Sequence, residues 1–364
     1  MARSLDLAVF LPVLAGGGAE RVILQLLRDF TDRGVRCELT LAAHGGALAD
    51  SVPSGVPTVH LGHGKAWRAA RALRGYVAAR RPLTLLTSIL SANIAGLLAL
   101  RGLRDRPRCV VRESSTPTLN IGGRSPRQVA SQVAVRLLYP RADAVIALSE
   151  DVAVDLQRFG IPGRLISVIP NPLPDFSAAA AAGPQPPGGP YVFACGRLEP
   201  EKDYATLVRA FARLAHRPLD LVILGEGSQR AMLSALAREL GVAERLYLPG
   251  FVPQPREWYR RAKVFAHTSR LEGFPNAVVE ALSCGVPVVA ADSVGAVRLL
   301  LDDGRRGALV AAGDEAALAA ALDSVLRGER TFADPRPYLA RFDRAHVVQR
   351  YLDLLFPRGT AGAA

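Results

Sequence analysis

The sequence predicts two doubly wound α/β domains, and three observations carry that prediction. Short, nearly all-apolar strand segments alternate with amphipathic helical segments along most of the chain, the pattern of parallel sheets covered by helices on both faces. The length of 364 residues exceeds one ordinary domain; at about 150 residues each, two are expected. Residues 176–190 are almost entirely Ala, Pro and Gly, a linker composition.

In the first half, strands are expected at Leu5–Leu11, Val35–Leu41, Thr58–Leu61, Leu83–Thr87, Cys109–Arg112, Ala144–Leu148 and Leu165–Ile169. The helices between them are expected at Ala19–Arg33, Lys65–Arg81, Ser91–Leu103, Pro126–Leu138 and Glu150–Phe159. A second series of strands runs Tyr191–Gly196, Leu219–Leu224, Arg245–Leu248, Lys263–His267 and Val286–Ala290. The domains are therefore placed at 1–175 and 191–335, with 176–190 as linker and 336–364 as a C-terminal helix, crossing back to the first domain, and tail. Ligands of such sheets bind beyond the carboxyl ends of the strands, so a cleft between two facing domains is the expected site.

Composition narrows the function. Apolar residues make up 49% and charged residues 21%, which excludes a disordered or collagen-like chain. Cys37, Cys109, Cys195 and Cys284 stand far apart and never as C-x-x-C, which argues against a zinc site or disulfide framework and fits a reducing compartment. Asp6 interrupts the only early apolar stretch, so no secretory signal is read and a cytoplasmic location is expected. The uncharged 18-residue run Leu83–Leu100 reaches the lower limit of a membrane span, but Thr84, Thr87, Ser88, Ser91 and Asn93 interrupt it. It reads better as a buried strand followed by a helix capped by Ser91. The net charge of +12 is uneven: residues 1–175 hold 22 Lys and Arg against 13 Asp and Glu, and the remainder 23 against 20. With no zinc-finger spacing, RNP-like strand or basic arm, and only 6% aromatic residues, nucleic acid is not an expected partner.

Three segments carry chemistry. Gly16-Gly17-Gly18 lies between the first strand and its helix, where backbone and helix N-terminus can approach an anion; Arg21 stands where the dinucleotide fingerprint needs its third glycine. Gly196-Arg197-Leu198-Glu199-Pro200-Glu201-Lys202 follows the strand opening the second domain. Its Arg197 and Lys202 are cations suited to a diphosphate. The chain has 42 arginines and three lysines, so a lysine in that loop suggests a need for a compact point charge. In the segment Ser269 to Ala290, a strand ends, a Gly-Phe-Pro-Asn turn opens a helix, and Gly285-Val286-Pro287 closes it. Glu272 lies in the turn, and Glu280, eight residues later, lies within the helix in reach of a hydroxyl pair.

This last segment resembles the E-x7-E signature of the retaining glycosyltransferases of family 4, whose fold, GT-B, has two facing Rossmann-like domains. The resemblance extends to Gly17-Gly18-Ala19-Glu20-Arg21-Val22, Ile169-Pro170-Asn171-Pro172, Gly196 through Lys202, Gly225-Glu226-Gly227 and Gly250-Phe251, in the family's order. It implies transfer of a hexosyl or N-acetylhexosaminyl group, with retention, from a nucleotide-diphosphate sugar. The expected setting is cell-surface polysaccharide or lipid-linked glycan assembly. A soluble natural-product acceptor and a non-catalytic nucleotide-sugar binding protein are the alternatives. The resemblance implies that Arg197 and Lys202 hold the diphosphate and that Glu272, with backbone at Gly273, Phe274, Asn276 and Ala277, meets the sugar and phosphate. Glu280 would meet the ribose, Gly250 and Phe251 the base, and Gly17 and Gly18 the donor from the first domain. Two positions depart from the family. Ser114, in Val111-Arg112-Glu113-Ser114-Ser115, stands where many relatives have a histidine, leaving Glu113 and Ser114 as acceptor-side candidates, and Arg298 stands where an acidic residue is common.

No D-x-D motif occurs and the six histidines show no ligand spacing, so no metal or other cofactor is expected. An anionic membrane surface is an expected partner through residues 65–81, which hold Lys65, Arg68, Arg71, Arg74, Arg80 and Arg81 and no acid. Lys65, Arg68, Arg71 and Arg74 fall on one helical face, with Trp67 at its edge.

Overall fold

The structure is a computed structural model and describes residues 5–114, 117, 118, 123, 125–174, 184–214, 218–293 and 295–357. It divides into two compact units, Met1–Pro172 together with Phe342–Ala364, and Leu173–Arg341. Most of the expected linker lies outside the described residues.

The first unit is built on seven parallel strands: β1 (Leu7–Leu11), β2 (Cys37–Leu41), β3 (Thr58–His60), β4 (Thr84–Ser88), β5 (Arg108–Glu113), β6 (Ala144–Ala147) and β7 (Ile166–Val168). Their order is β3-β2-β1-β4-β5-β6-β7, so the winding reverses between β1 and β4. Strands β1, β2, β4 and β6 are buried throughout; β1 and β6 are apolar runs, whereas β2 and β4 also bury Glu38, Thr40, Thr84, Thr87 and Ser88. Right-handed crossovers place the helices Ala70–Arg80, Leu90–Leu100 and Pro126–Leu138 side by side on one face, Leu90–Leu100 in the middle. On the opposite face the helix Gly18–Asp32 packs against the C-terminal helix Arg344–Leu355.

That last helix is tied in by polar contacts. Arg344 pairs with Asp29 at 2.6 Å, and the Arg108 Nε donates to the Leu354 carbonyl at 3.1 Å. The fully buried Arg112 donates to the Tyr351 hydroxyl (3.0 Å), to Ser88 Oγ (2.9 Å) and to Asn171 Oδ1 (2.5 Å). Asn171, just before Pro172, thus holds the end of the first unit's main segment against its sheet.

The second unit carries β8 (Tyr191–Cys195), β9 (Asp220–Leu224), β10 (Leu246–Gly250), β11 (Val264–His267), β12 (Val288–Asp292) and β13 (Ala308–Ala311), all parallel, in the order β10-β9-β8-β11-β12-β13. Here the winding reverses between β8 and β11. The loops leaving those two strands are neighbours although some 70 residues separate them in sequence.

Three expectations are corrected. Residues 65–81 are not one helix: a 3-10 turn, Ala66–Ala69, precedes the helix Ala70–Arg80. Its cations do not share one free face, because Arg74 donates to the Arg101 carbonyl at 2.6 Å and Arg80 is paired with Glu38. Ser91 does not cap its helix, which begins at Leu90 with Ile89 at the N-cap, at φ 77, a conformation costly for a β-branched residue. Among the described residues no helix is long and apolar enough to cross a membrane.

Candidate active site

The carboxyl ends of β8, β9 and β10 are laced together by backbone. The Gly196 N–H donates to the Leu224 carbonyl (2.9 Å), Leu198 to Glu226 (2.8 Å) and Gly225 to Gly250 (2.8 Å). Gly225, at φ 137, lies so close to the next loop that a Cβ there would run into the Gly196 carbonyl oxygen. This is the physical reason for a Gly-x-Gly after β9: the loop carrying Arg197 and Lys202 rests directly on its backbone. Glu199 secures the same loop, accepting from the Ser228 N–H at 3.1 Å and from its hydroxyl at 2.7 Å; the bonds from Ser228 hold its carboxyl below the usual range.

The turn after β11 faces this loop. Lys202 Nζ donates to Glu272 Oε1, and Ser269 Oγ donates to the same oxygen at 3.1 Å. Thr268 Oγ1 donates to the Lys202 carbonyl at 2.8 Å, and the Arg270 N–H to the Glu201 carbonyl at 2.9 Å. Burial opposes ionisation of Glu272, but Lys202, His267 and the bonds from Lys202 and Ser269 outweigh it and keep its carboxyl below the usual range. Gly295, at φ 125, supports the turn from below: a Cβ there would collide with the Glu272 carbonyl.

Glu280 is buried in the helix Asn276–Ser283 and accepts from the Tyr259 hydroxyl at 2.8 Å. Tyr259 is itself fixed edge-on against Phe193 of β8, with ring centroids 4.8 Å apart. The helix starts at Pro275, which offers no side-chain cap, and its first turn therefore depends on other partners. The Asn276 N–H already donates to the Phe274 carbonyl at 3.0 Å. Gly273 and Phe274 are buried, and Asn276 and Ala277 are half-buried. Gly250 ends β10 at φ 95, and Phe251 follows it half-buried.

The structure brings together Lys202 and Glu272, but directs Arg197 elsewhere: its guanidinium is exposed and paired with Glu201 at 2.8 Å. In the first unit, Gly17 is the N-cap of its helix and Gly18 the first helical residue, whereas Gly16 is the one in the left-handed region, at φ 104. Glu113 is buried at the end of β5, accepting from the Tyr139 hydroxyl at 2.7 Å, in a network with Asn93 and Thr87. Ser114 follows it half-buried. Arg298 bridges Asp292 and Asp303, locking the end of β12 to the turn at Asp302–Gly304, which accounts for a cation there.

One residue was not singled out from the sequence. His267, the last residue of β11, is buried, with Nε2 3.9 Å from Glu272 Oε1 and without a hydrogen-bond partner among the described residues. Burial, reinforced by the Lys202 cation, lowers its pKa to about 4, so it is neutral at pH 7. A polar residue as the last inward-facing position of an otherwise apolar strand was the available signal. Among the described residues no three His, Cys, Asp or Glu side chains cluster as metal ligands would.

Two family models divide the chain between them: residues 16–175 match Glycosyltransferase Family 4 and residues 176–341 match Glycosyl transferases group 1. The chain belongs to the family 4 glycosyltransferases. It is 28% identical over 340 residues (89% of this chain, 91% of the other) to N-acetylgalactosamine-N,N'-diacetylbacillosaminyl-diphospho-undecaprenol 4-alpha-N-acetylgalactosaminyltransferase of Campylobacter jejuni. A D-inositol 3-phosphate glycosyltransferase of Nocardia farcinica is 33% identical over 257 residues, 64% of this chain and 56% of that protein. The fold is that of Anabaena HepE, solved with UDP-glucose, at a TM-score of 0.80 and 21% identity over 96% of this chain and 99% of that one. The GT-B fold and sugar transfer from a nucleotide sugar follow from this membership. Within the second sheet, the adjacency of β8 and β11 sets Lys202 and Glu272 against each other.

Proposed function

We propose that this glycosyltransferase moves a hexosyl or N-acetylhexosaminyl group, with retention, from a nucleotide-diphosphate sugar to a lipid-linked acceptor in cell-surface glycan assembly. The observation that carries the reading is the Lys202–Glu272 pair at the adjoining ends of β8 and β11. Departure of a nucleoside diphosphate builds negative charge on its phosphates, and a preorganised cation there stabilises it. Lys202 supplies that cation on a loop fixed by backbone bonds. Glu272, kept ionised, accepts hydrogen bonds from sugar hydroxyls, and Glu280, oriented by Tyr259, does the same for the ribose. Gly17, Gly18, Gly250, Phe251, Gly273, Phe274, Asn276 and Ala277 are assigned to donor binding, and Arg197 to the diphosphate after release from Glu201.

The lipid-linked acceptor is favoured by the likeness to the Campylobacter enzyme along nearly the whole of both chains. The likeness to the Nocardia enzyme keeps a soluble acceptor as the second reading. The exposed Lys65, Arg68 and Arg71, beside Trp67, are assigned to an anionic membrane surface. The transfer is proposed to need no metal.

A panel of nucleotide sugars, screened by thermal shift and then for slow donor hydrolysis, tests the donor assignment, since a bound donor raises the midpoint by mass action. The matching donor is expected to shift the midpoint and to be hydrolysed, in excess EDTA as well. No shift with any donor overturns the assignment, and loss of hydrolysis in EDTA, restored by manganese or magnesium, overturns the metal-free reading. Anomeric NMR of the product decides retention. Equal turnover on a soluble phosphate acceptor and none on polyprenyl-diphosphate sugars puts the second reading first.

A further inference from the structure

We propose that His267 is a positioning residue for the sugar-binding carboxylate: its Nε2–H takes hold of Glu272 when Lys202 turns to the leaving diphosphate. Lys202 has two anions to serve. In the structure its ammonium donates to Glu272 Oε1. The role proposed for it above sets it against the diphosphate, and sharing it with that charge loosens its hold on a carboxylate whose ionisation burial opposes. Ser269 Oγ, 3.1 Å from the same oxygen, is a neutral hydrogen-bond donor and replaces only part of the pairing. Glu272 keeps its orientation toward the sugar only if a further N–H or O–H is already in place beside it.

His267 has the geometry for this. It is the last residue of β11 and 5% exposed, and its Nε2 has no hydrogen-bond partner among the described residues. A buried polar atom left so is costly, and packing alone would favour an apolar side chain here. Phe265, two residues earlier on the same face of the strand, packs against Phe193 with ring centroids 5.8 Å apart. His267 itself lies level with Ala290 of β12 and, by continuation of the register, with Cys195 of β8. Its Nε2 is 3.9 Å from Glu272 Oε1. That is about 1 Å too long for a hydrogen bond and too short for a bridging water, which would hold the two atoms about 4.5 Å apart. A small rotation of the Glu272 carboxylate closes the gap once the ammonium has moved. Among the described residues the charges facing the imidazole are Glu272, from the turn after β11, and Lys202, from the loop after β8. They act in opposite senses and burial outweighs both, lowering the pKa to about 4. The ring is therefore neutral at pH 7 with one N–H to give, and an ionised Glu272 selects the tautomer that carries it on Nε2.

This rests on the assignment of Lys202 to the diphosphate, and the experiment separates the two. NMR of the full chain labelled with 15N-histidine reads the bond directly. In Lys202→Ala, where Glu272 has lost its ammonium, the His267 Nε2 proton is expected to move downfield and to resist exchange with solvent, as a proton held by a carboxylate does. The same change is expected in the wild type on saturation with inorganic pyrophosphate, and it should be absent in Lys202→Ala/Glu272→Gln. An unmoved resonance in Lys202→Ala, or in wild type whose thermal midpoint pyrophosphate has raised, overturns the hand-over, as does a shift that survives Glu272→Gln. Hydrolysis of UDP-glucose or UDP-N-acetylgalactosamine gives the second readout. His267→Leu, which fills the site without an N–H, is expected to lose at least about tenfold in kcat with KM within about threefold of wild type. His267→Gln, whose amide nitrogen stands near the Nε2 position, should recover most of that loss. Wild-type kcat in His267→Leu, or equal losses in the two variants, overturns the proposal. If His267→Leu keeps its rate while Lys202→Ala loses about a hundredfold, the hand-over alone falls. A wild-type rate in Lys202→Ala removes the assignment of Lys202 and the hand-over with it.

Discussion

Replacing Lys202 by Ala separates a role in charge stabilisation from a role in folding. Its ammonium is paired with Glu272, and the two side chains are 17% and 15% exposed. Removing one member of a fully buried pair costs about 3–5 kcal/mol because the other charge is stranded. Partial exposure screens this, so a loss of about 2 kcal/mol is expected at pH 7. Glu272 is held below its ordinary value of 4.5, so the stability it contributes is present above that pH and fades as pH falls below it. The gap between wild type and Lys202→Ala should therefore narrow from pH 7 to pH 4. Lys202→Ala/Glu272→Gln, which removes both charges, should regain most of the lost stability at pH 7. Turnover should fall about a hundredfold or more in Lys202→Ala and should not recover in the double variant, the cost typical of losing one preorganised group, about 2.7–4 kcal/mol. Urea unfolding followed by the fluorescence of Trp258, in a Trp67→Phe background, reads the second unit alone, and donor hydrolysis reads turnover. Turnover within threefold of wild type, or a double variant no more stable than Lys202→Ala, refutes the reasoning.

Three further outcomes are expected. Tyr259→Phe deletes the 2.8 Å bond to Glu280 and should cost about 1–2 kcal/mol of stability and weaken donor binding several-fold by calorimetry; unchanged affinity would show that Tyr259 does not position Glu280 for the donor. Gly295→Ala puts a Cβ at φ 125 against the Glu272 carbonyl and should cut turnover more than tenfold, whereas Gly285→Ala, at φ 73 with open space around it, should cost about 1 kcal/mol and spare activity; equal kinetic effects would refute the supporting role of Gly295. For His267, burial lowers the pKa from 6.5 to about 4, so between those values the unfolded chain takes up a proton that the folded one refuses, and stability falls by up to about 3 kcal/mol as pH drops. In His267→Asn that share should vanish and the pH profile of the Trp258 transition should flatten between pH 6.5 and 4; parallel profiles would contradict it.

The alternation of strands with amphipathic helices was legible because strands buried on both faces are mostly apolar, their polar residues needing partners as Arg112 does, and glycine signatures were legible because backbone contacts such as Gly225 against Gly196 tolerate no side chain. Lys202 and Glu272 could be singled out for a similar local reason: they stand in loops after strand ends, in segments whose residue types have no packing role, while Glu280 was picked out by its place eight residues on, inside the following helix. What the sequence by itself determined is thus the α/β class, the order of the elements and the loops that carry chemistry, since each depends on residues adjacent in the chain. The tertiary structure decided which of those loops meet. Reversal of strand order sets β8 beside β11, pairs Lys202 with Glu272 and leaves Arg197 with Glu201, a choice no spacing encodes. It also decided burial: Glu113, an acceptor-side candidate in sequence, is enclosed, as is His267, while Arg74, placed on a basic face, is tied to a carbonyl and Arg80 to a carboxylate. On the helix Pro126–Leu138, Val135 and Leu138 are buried while Val129, Val133 and Leu137 are exposed. Periodicity fixes which residues share a face of a helix; only packing decides whether that face meets the sheet or the solvent.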